Sequence, residues 1–208
     1  MPTDASKLES VTRLAIAVFL ALIVAGCGSV SRSGEPASTS PSSPPPMATT
    51  SDCEPLPHTA LTSRTSPAIE NRATMYLTGV SEDTEYNGCS AIVMFDFEKQ
   101  APGPGFEVSY QPASTAKFED GSGNPVDIDG TAFLVVKLTP AMTAKIDGDH
   151  VTKTYTGPNR VQSDVPSFIK EIVKTGDFEN TVTWVIGLDE KRPFKTNASG
   201  SQLEVDIG

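Results

Sequence analysis

The sequence predicts an all-β fold, a small antiparallel β-sandwich that follows a non-globular N-terminal part. Short runs rich in β-branched and aromatic residues alternate with turn residues from about residue 72 to residue 208. No segment of this region carries a strong helical pattern of apolar residues. Short strands joined by turns pack as two sheets face to face, so we expect one sandwich domain over residues 72–208.

The first predicted strands lie on either side of a polar turn. Ala73–Val80 is expected to be a strand, and Ser81–Gly88 carries the charges and small residues of a turn. Ala91–Phe97 is apolar on both faces until Asp96, which predicts a central strand. Phe106–Tyr110 alternates apolar and polar residues, as expected for a half-exposed strand.

The middle of the domain has one clear strand and weaker ones. Thr131–Thr139 has high β propensity, and Pro140 ends it. Ile146–Val151 contains an Asp-Gly-Asp turn signal, and Lys153–Thr156 is predicted to be a short strand. Ser167–Thr175 fits helical spacing as well as β propensity, and we favour a strand because the segment leads directly toward the next one.

The last predicted strands supply much of the core. In Thr181–Leu188 the residues alternate cleanly, and in Gln202–Ile207 they form a short closing strand. The phase of the first run places Trp184 with its apolar neighbours, so a core position is favoured over sugar stacking. The expected core residues are Val93, Phe95, Val136, Trp184 and Ile186.

The N-terminal part has the layout of a secretory signal. Lys7 and Arg13 precede the apolar run Leu14–Ala21, and small residues lead to Cys27. The apolar stretch is about a dozen residues, whereas a membrane-spanning helix needs roughly 20. Leu22–Cys27 resembles the lipobox of bacterial lipoproteins, which implies that residues 1–26 are a signal peptide and that Cys27 is acylated. Two or three acyl chains, palmitate among them, make a stable membrane anchor.

Residues 27–71 are predicted to be a disordered tether. Serine and proline dominate the segment from Gly28 to about Ser51, and large apolar residues are nearly absent. Such a composition cannot bury enough surface to offset the entropy of ordering. The tether would hold the domain away from the outer side of the cell membrane.

The cysteines predict one disulfide. If Cys27 carries the lipid, Cys53 and Cys89 remain, and an exported protein meets oxidising conditions. A zinc site is the rival, but His58 and His150 are the only histidines and no Cys-x-x-Cys is present. We therefore expect a Cys53–Cys89 disulfide, worth about 4 kcal/mol in the chain-entropy model, and no metal.

Composition and motifs argue against several functions. Asp and Glu outnumber Lys and Arg by 26 to 16, which disfavours nucleic acid and anionic lipid headgroups as partners. Gly-x-Ser-x-Gly and phosphate-binding loops are absent, so we expect neither an enzyme nor a cofactor. Glu119–Pro125 resembles a calcium loop but lacks the required glycine and closing glutamate, so a solvated turn is favoured.

A few exposed side chains are candidates for ligand contact. Tyr110 and Tyr155 are predicted to be exposed and able to stack on a sugar. Arg192 lies in a charged loop, where it would either meet an anionic ligand or serve solubility. A sandwich of this size needs its large apolar residues for the core, so we expect a sheet face or edge to bind, with Glu107 and Asp189 near it.

Seven short pieces, taken in order, resemble one domain family. They are Ile92–Phe97, Pro104–Val108, Asp120–Gly123, Val136–Ala141, Tyr155–Pro158, Gly176–Glu179 and Trp184–Asp189. Together they are similar to the AMIN-like domain of actinobacterial lipoproteins and secreted proteins, over roughly Arg72 to the C-terminus.

The resemblance implies a small β-sandwich of a kind that localises envelope proteins, some of which bind peptidoglycan, and it implies no catalytic residues. The family often has an Asp-Arg pair before the strand that begins here at Ile92, whereas this chain has Cys89-Ser90-Ala91. We thus expect a noncatalytic, lipid-anchored envelope protein on the extracytoplasmic side that binds peptidoglycan or another wall polymer. The alternative is an interaction subunit that docks on an exported or membrane protein.

Overall fold

The computed structural model describes residues 56–57, 59–67, 72–84, 89–98, 103, 105–162 and 168–208. Cys27 and Cys53 lie outside these residues. One short helix, α1 (Ala113–Ala116), occurs among the strands that they form. The strands are β1 (Arg64–Thr65), β2 (Met75–Thr84), β3 (Ala91–Phe97), β4 (Phe106–Gln111), β5 (Ala132–Leu138), β6 (Ala141–Met142), β7 (Ala144–Asp147), β8 (His150–Lys153), β9 (Arg160–Val161), β10 (Ile169–Phe178), β11 (Thr181–Leu188), β12 (Phe194–Ser199) and β13 (Gln202–Ile207).

The strands form two sheets and one separate hairpin. The six-stranded sheet has the order β1-β4-β5-β11-β10-β9, and the five-stranded sheet has the order β12-β13-β3-β2-β6. The pairings between described strands are antiparallel except for that of β2 with β6. The hairpin consists of β7 and β8. The predicted all-β class with antiparallel sheets is confirmed, and β3 is the central strand that its apolar pattern predicted.

The inner faces of the two sheets share one core. Trp184 is fully buried, and its ring meets Phe95 and Tyr155 edge to face at centroid distances of 6.3 and 5.6 Å. All five residues predicted to fill the core are buried. The alternation of β11 therefore identified its inward face correctly.

The outer face of the six-stranded sheet carries a second, smaller core. Residues 113–130, which we call the covering segment, run across this face between β4 and β5. Ala116 and Ile128 of the segment pack there on apolar side chains of three strands. These strand residues are Phe133, Val135, Val173 and Val185. We call this surface the covered face.

Glu171 fastens the end of the covering segment to the sheet. Its side chain is 2% exposed, and its carboxylate accepts hydrogen bonds from the backbone N–H of Asp129 and the guanidinium of Arg160. Arg160 also donates to the carbonyl oxygen of Asp127 at 2.8 Å. A buried carboxylate is tolerated only when it is paired and hydrogen-bonded, and the two contacts of Glu171 supply that condition.

The outer face of the five-stranded sheet carries no such segment within the described residues, and we call it the open face. Its outward residues lie in rows across the strands and are half-buried or exposed. Polar pairs join neighbouring strands, among them Glu204 with Asn197 and Asp96 with Gln202. The rows are Asp83, Ile92, Asp206 and Lys195, then Ser81, Met94, Glu204 and Asn197, then Gly79, Asp96, Gln202 and Ser199.

Several predicted boundaries were wrong. β2 continues through Ser81 to Thr84, because pairing with β3 outweighs the turn propensity of this polar stretch. The turn signal within Ile146–Val151 is confirmed, since Gly148 has a positive φ in the turn of the β7–β8 hairpin. The strand predicted at Lys153–Thr156 was wrong, because β8 ends at Lys153. β12 was missed because it is an edge strand in which four of six residues are polar: Lys195, Thr196, Asn197 and Ser199.

The attached part of the chain also begins earlier than Arg72. β1 pairs with β4 through Arg64 and Thr65, and Ala60 forms a bridge with Phe194.

Among the described residues, no helix has both the length and the apolar composition of a membrane span.

Candidate ligand-binding groove

An open groove of about 590 Å³ lies where the covering segment meets the end of β10. One wall is the turn that follows α1, and the other is the second half of β10 together with the residue before β9. The residues that line it are Glu119, Asp120, Gly121, Ser122, Asn159, Lys174, Thr175, Gly176, Asp177 and Phe178. The volume is within the range of small-molecule sites, but the groove is open to solvent on one side.

The first wall is a turn closed by its own hydrogen bonds. Ser122 donates its hydroxyl to Glu119 at 2.6 Å, and the Asn124 carboxamide donates to the same oxygen at 3.3 Å. The hydrogen bond from Ser122, and then that from Asn124, lowers the pKa of Glu119. This segment is the solvated turn that we predicted, and its carboxylate is occupied by neighbouring donors.

Asp120 connects the turn to the sheet through two hydrogen bonds. Its backbone N–H donates to the carbonyl oxygen of Thr175 at 2.9 Å, and its carboxylate oxygen Oδ2 accepts the hydroxyl of Thr183. A Cβ atom at Gly176 would stand 2.4 Å from that same oxygen, so the carboxylate fits only beside a glycine. The register of β10 shifts between Lys174 and Gly176, which is a kind of irregularity common beside binding sites.

The second wall ends in an exposed aromatic ring. Phe178 is 57% exposed and lies beside Gly121, where a Cβ atom would be 3.7 Å from the ring. The next two residues, Glu179 and Asn180, form the turn to β11 with φ of 51° and 58°. Such a turn favours Asn and Gly, so Glu179 is strained there. The rigid two-residue turn fixes the position of Phe178.

Several groups in the groove have no hydrogen-bond or ion-pair partner among the described residues. They are the ring of Phe178, the side-chain carboxamide of Asn159, and one oxygen of each carboxylate: Oε1 of Glu119, Oδ1 of Asp120 and Oδ1 of Asp177. The backbone oxygen of Asn159 accepts the N–H of Lys174 at 2.8 Å. The other oxygen of Asp177 accepts from the hydroxyl of Thr143 and pairs with Lys174 at 3.5 Å. An apolar ring beside an amide and carboxylate oxygens suits a ligand with an apolar face and polar edges.

The two tyrosines predicted to stack on a ligand are not available. The Tyr110 hydroxyl donates to the carbonyl oxygen of Arg192 at 2.8 Å and accepts its backbone N–H at 2.9 Å. Burial raises the pKa of Tyr110, against the smaller opposing effect of Arg192. Tyr155 is 6% exposed, donates to the Pro158 carbonyl oxygen at 2.6 Å, and has a pKa raised by burial. Both predictions were wrong, because each hydroxyl found a backbone partner.

Arg192 is likewise occupied. Its guanidinium lies 4.2 Å from the centroid of the Phe168 ring and pairs with Asp189 at 3.4 Å and Glu190 at 3.3 Å. The residue is 8% exposed, so it is neither a solvated loop charge nor a free anion site. It instead locks the loop between β11 and β12 onto the end of the sandwich. Glu107 is exposed on β4, away from the residues that line the groove.

The cysteine predictions fall largely outside the described residues. Cys89 is half-buried and lies two residues before β3. Leu56 lies close by: a Cβ atom on Gly208 would stand 2.8 Å from the Cys89 carbonyl oxygen and 3.2 Å from a methyl of Leu56. Across the described residues, no group of three or more His, Cys, Asp or Glu side chains forms a metal site.

Fold and groove together define a class: an antiparallel β-sandwich with an open groove, lined mostly by polar residues, at the end of one sheet. The model of the AMIN-like domain family matches residues 76–208, and the chain belongs to this family. The predicted family is thereby confirmed. Searches among curated proteins and among solved structures found no match.

Two of the sequence pieces that carried the family resemblance meet at the groove. Asp120–Gly123 lies on the first wall and Gly176–Glu179 forms the end of the second. Sequence reasoning missed Phe178 as a contact residue, although it stands immediately before a strand-to-strand turn. No sequence pattern pointed to Asn159, because only the pairing of β9 with β10 brings this residue to the groove.

Proposed function

We propose that this protein is a noncatalytic envelope module that binds a saccharide of the cell wall, such as a peptidoglycan strand, in the groove. The observation that carries the proposal is the exposed ring of Phe178 at the edge of a polar groove. AMIN-like domains are extracytoplasmic, generally noncatalytic binding domains, and this supports a recognition role.

A sugar ring fits the groups that the groove leaves unengaged. Its C–H face packs on an aromatic ring, and its hydroxyls exchange hydrogen bonds with an amide and a carboxylate. The Asn159 carboxamide both donates and accepts, whereas Oδ1 of Asp120 only accepts. These contacts are few and solvated, so we expect a dissociation constant between about 1 μM and 1 mM.

Co-sedimentation with purified cell wall tests this proposal. The mature chain, produced without its lipid, should sediment with the wall, and Phe178→Ala should weaken binding about tenfold because the stacking surface is lost. Phe118→Ala is the matched control, since Phe118 is also exposed, at 41%, and does not line the groove. Equal binding by the two variants would refute a role for the groove.

The proposal includes a lipid anchor at Cys27 that follows removal of residues 1–26. The lipobox resemblance and the odd number of cysteines support it. Residues 27–71 would then serve as the tether, apart from the stretch around Ala60 and Arg64 that joins the sheets. Mass spectrometry of the membrane fraction should detect the acyl mass on Cys27, and Cys27→Ala should release the protein from the membrane.

We also propose the Cys53–Cys89 disulfide. Leu56 lies near the Cys89 backbone, and a chain of three residues from Leu56 back to Cys53 spans at most about 10 Å. The disulfide would fasten the tether to the end of β3. Two reactive thiols per denatured, exported chain would contradict this pairing.

A partner protein is the second candidate, supported by the β7–β8 hairpin. Ile146 and Val151 are paired across its strands and are 62% and 66% exposed. Solvent-exposed apolar pairs of this kind are typical of contact surfaces. The double variant Ile146→Ser, Val151→Ser would abolish capture of a partner while wall binding through the groove persists.

A further inference from the structure

The charges around the groove are unbalanced. Among its lining residues, Glu119, Asp120 and Asp177 are carboxylates, and Lys174 is the single ammonium. Opposite charges a few ångströms apart attract even in a solvated site, whereas like charges repel. The site therefore favours a ligand that brings positive charge over one that brings negative charge.

Lys174 is not available for an anionic ligand. Its Nζ atom pairs with Asp177 at 3.5 Å and lies 6.0 Å from the centroid of the Tyr155 ring. Its side chain is only 17% exposed. A phosphate group in the groove would face three carboxylates without a free cation to bind it, so phosphate-bearing polymers are poor ligands.

The charge of Asp120 is the least compensated of the three carboxylates. Asp177 pairs with an ammonium, and Glu119 accepts two hydrogen bonds. Asp120 accepts one, from Thr183, and Gly176 leaves the space into which that oxygen fits. Oδ1 of Asp120 has no hydrogen-bond partner among the described residues. A carboxylate oxygen only accepts hydrogen bonds, and its bond to an ammonium is stronger than its bond to a hydroxyl because both partners are charged.

Resting on the proposed function, we infer that the groove selects saccharides that carry a protonated amine. Phe178 packs on the sugar ring, and Asp120 accepts a hydrogen bond from the amine. Amino sugars with a free amine bind in the groove more tightly than their N-acetylated forms, and phosphate polymers do not bind.

Calorimetric titration of the mature chain with four probes tests the inference. The probes are a tetramer of N-acetylglucosamine, a tetramer of glucosamine, a polyphosphate, and putrescine as an amine without a ring. At low salt, we expect the glucosamine tetramer to bind about fivefold more tightly than the acetylated one. The ratio should fall toward one in about 0.5 M salt, because screening weakens an exposed charge contact.

A pair of variants separates Asp120 from the general charge of the protein. Asp120→Asn keeps an acceptor for Thr183, and we expect it to reduce the fivefold preference to less than twofold. Asp127→Asn removes the same charge from a side chain that is 97% exposed and does not line the groove, and it should keep the preference.

The outcomes distinguish this inference from the function on which it rests. Equal affinity for the two tetramers, with Phe178→Ala weakening both, would overturn the amine preference and leave saccharide binding intact. Binding of neither tetramer would overturn both. Polyphosphate or putrescine binding as tightly as the glucosamine tetramer, or loss of the preference in Asp127→Asn, would also overturn the inference.

Discussion

The two outer faces of the sandwich differ in how far their outward-pointing side chains are shielded from solvent. On the covered face, residues such as Phe133 and Val185 point outward and are buried by the covering segment. On the open face, outward positions hold polar pairs such as Glu204 with Asn197, while Ile92 and Met94 remain half-buried. A sheet needs a second layer only where its outward residues are apolar.

The covering segment also determines where the groove lies. The covering segment turns back at Gly121, which lies beside Phe178 at the end of β10. The groove lies between this turn and the second half of β10. In the part of the chain that the structure describes, no segment covers the open face, so this face offers side chains but no second wall.

The largest expected effect tests whether the small core stabilises the fold. Phe133→Ala should lower the free energy of unfolding by about 3 kcal/mol, because it removes a buried ring and leaves a cavity. Met94→Ala, at a half-buried position of the open face, should cost about 1 kcal/mol or less. Denaturant unfolding measures both, and equal losses would mean that the two faces do not differ in packing.

The second prediction tests whether Glu171 holds the covering segment on the sheet. Glu171→Ala should cost about 2–3 kcal/mol, since it leaves the Asp129 N–H without its acceptor and Arg160 without its partner. Glu204→Ala on the open face is the control and should cost less than about 1 kcal/mol. Hydrogen exchange should accelerate in residues 126–130 of the Glu171 variant. Unchanged exchange there would contradict a fastening role.

The third prediction is a small gain in stability from a substitution in the strained turn beside the groove. Glu179→Asn should raise the free energy of unfolding by about 0.5 kcal/mol, because asparagine tolerates the positive φ better. Glu107→Asn removes the same charge on an extended strand and should be neutral or destabilising. If the first variant is the less stable one, the strain argument fails.

Much of the fold was predictable from side-chain patterns. β5 is apolar on both faces and is covered on both, and β13 alternates and has one open face. The ambiguous segment predicted at Ser167–Thr175 is a strand from Ile169 onward, as β propensity favoured, and it extends to Phe178. The extension of β2 and the presence of β12 were not predictable, because pairing with β3 and β13 holds polar residues in strands.

The site was less predictable, for a physical reason. Tyr110, Tyr155 and Arg192 have the chemistry of ligand contacts, but their polar atoms are used inside the domain. Exposure and free hydrogen-bonding capacity are tertiary properties that a sequence does not display. Phe178 and Asn159 line one groove only because distant segments meet beside β10.

The central claim is that recognition occurs in the groove and not on the open face. Chemical-shift mapping of the amide groups during titration with soluble muropeptides tests it most directly. We predict that the largest perturbations occur at Gly121, Ser122, Thr175 and Gly176, with the amides of Met94 and Glu204 unchanged. Perturbations concentrated on Met94, Glu204 and their neighbours on the open face would contradict the account.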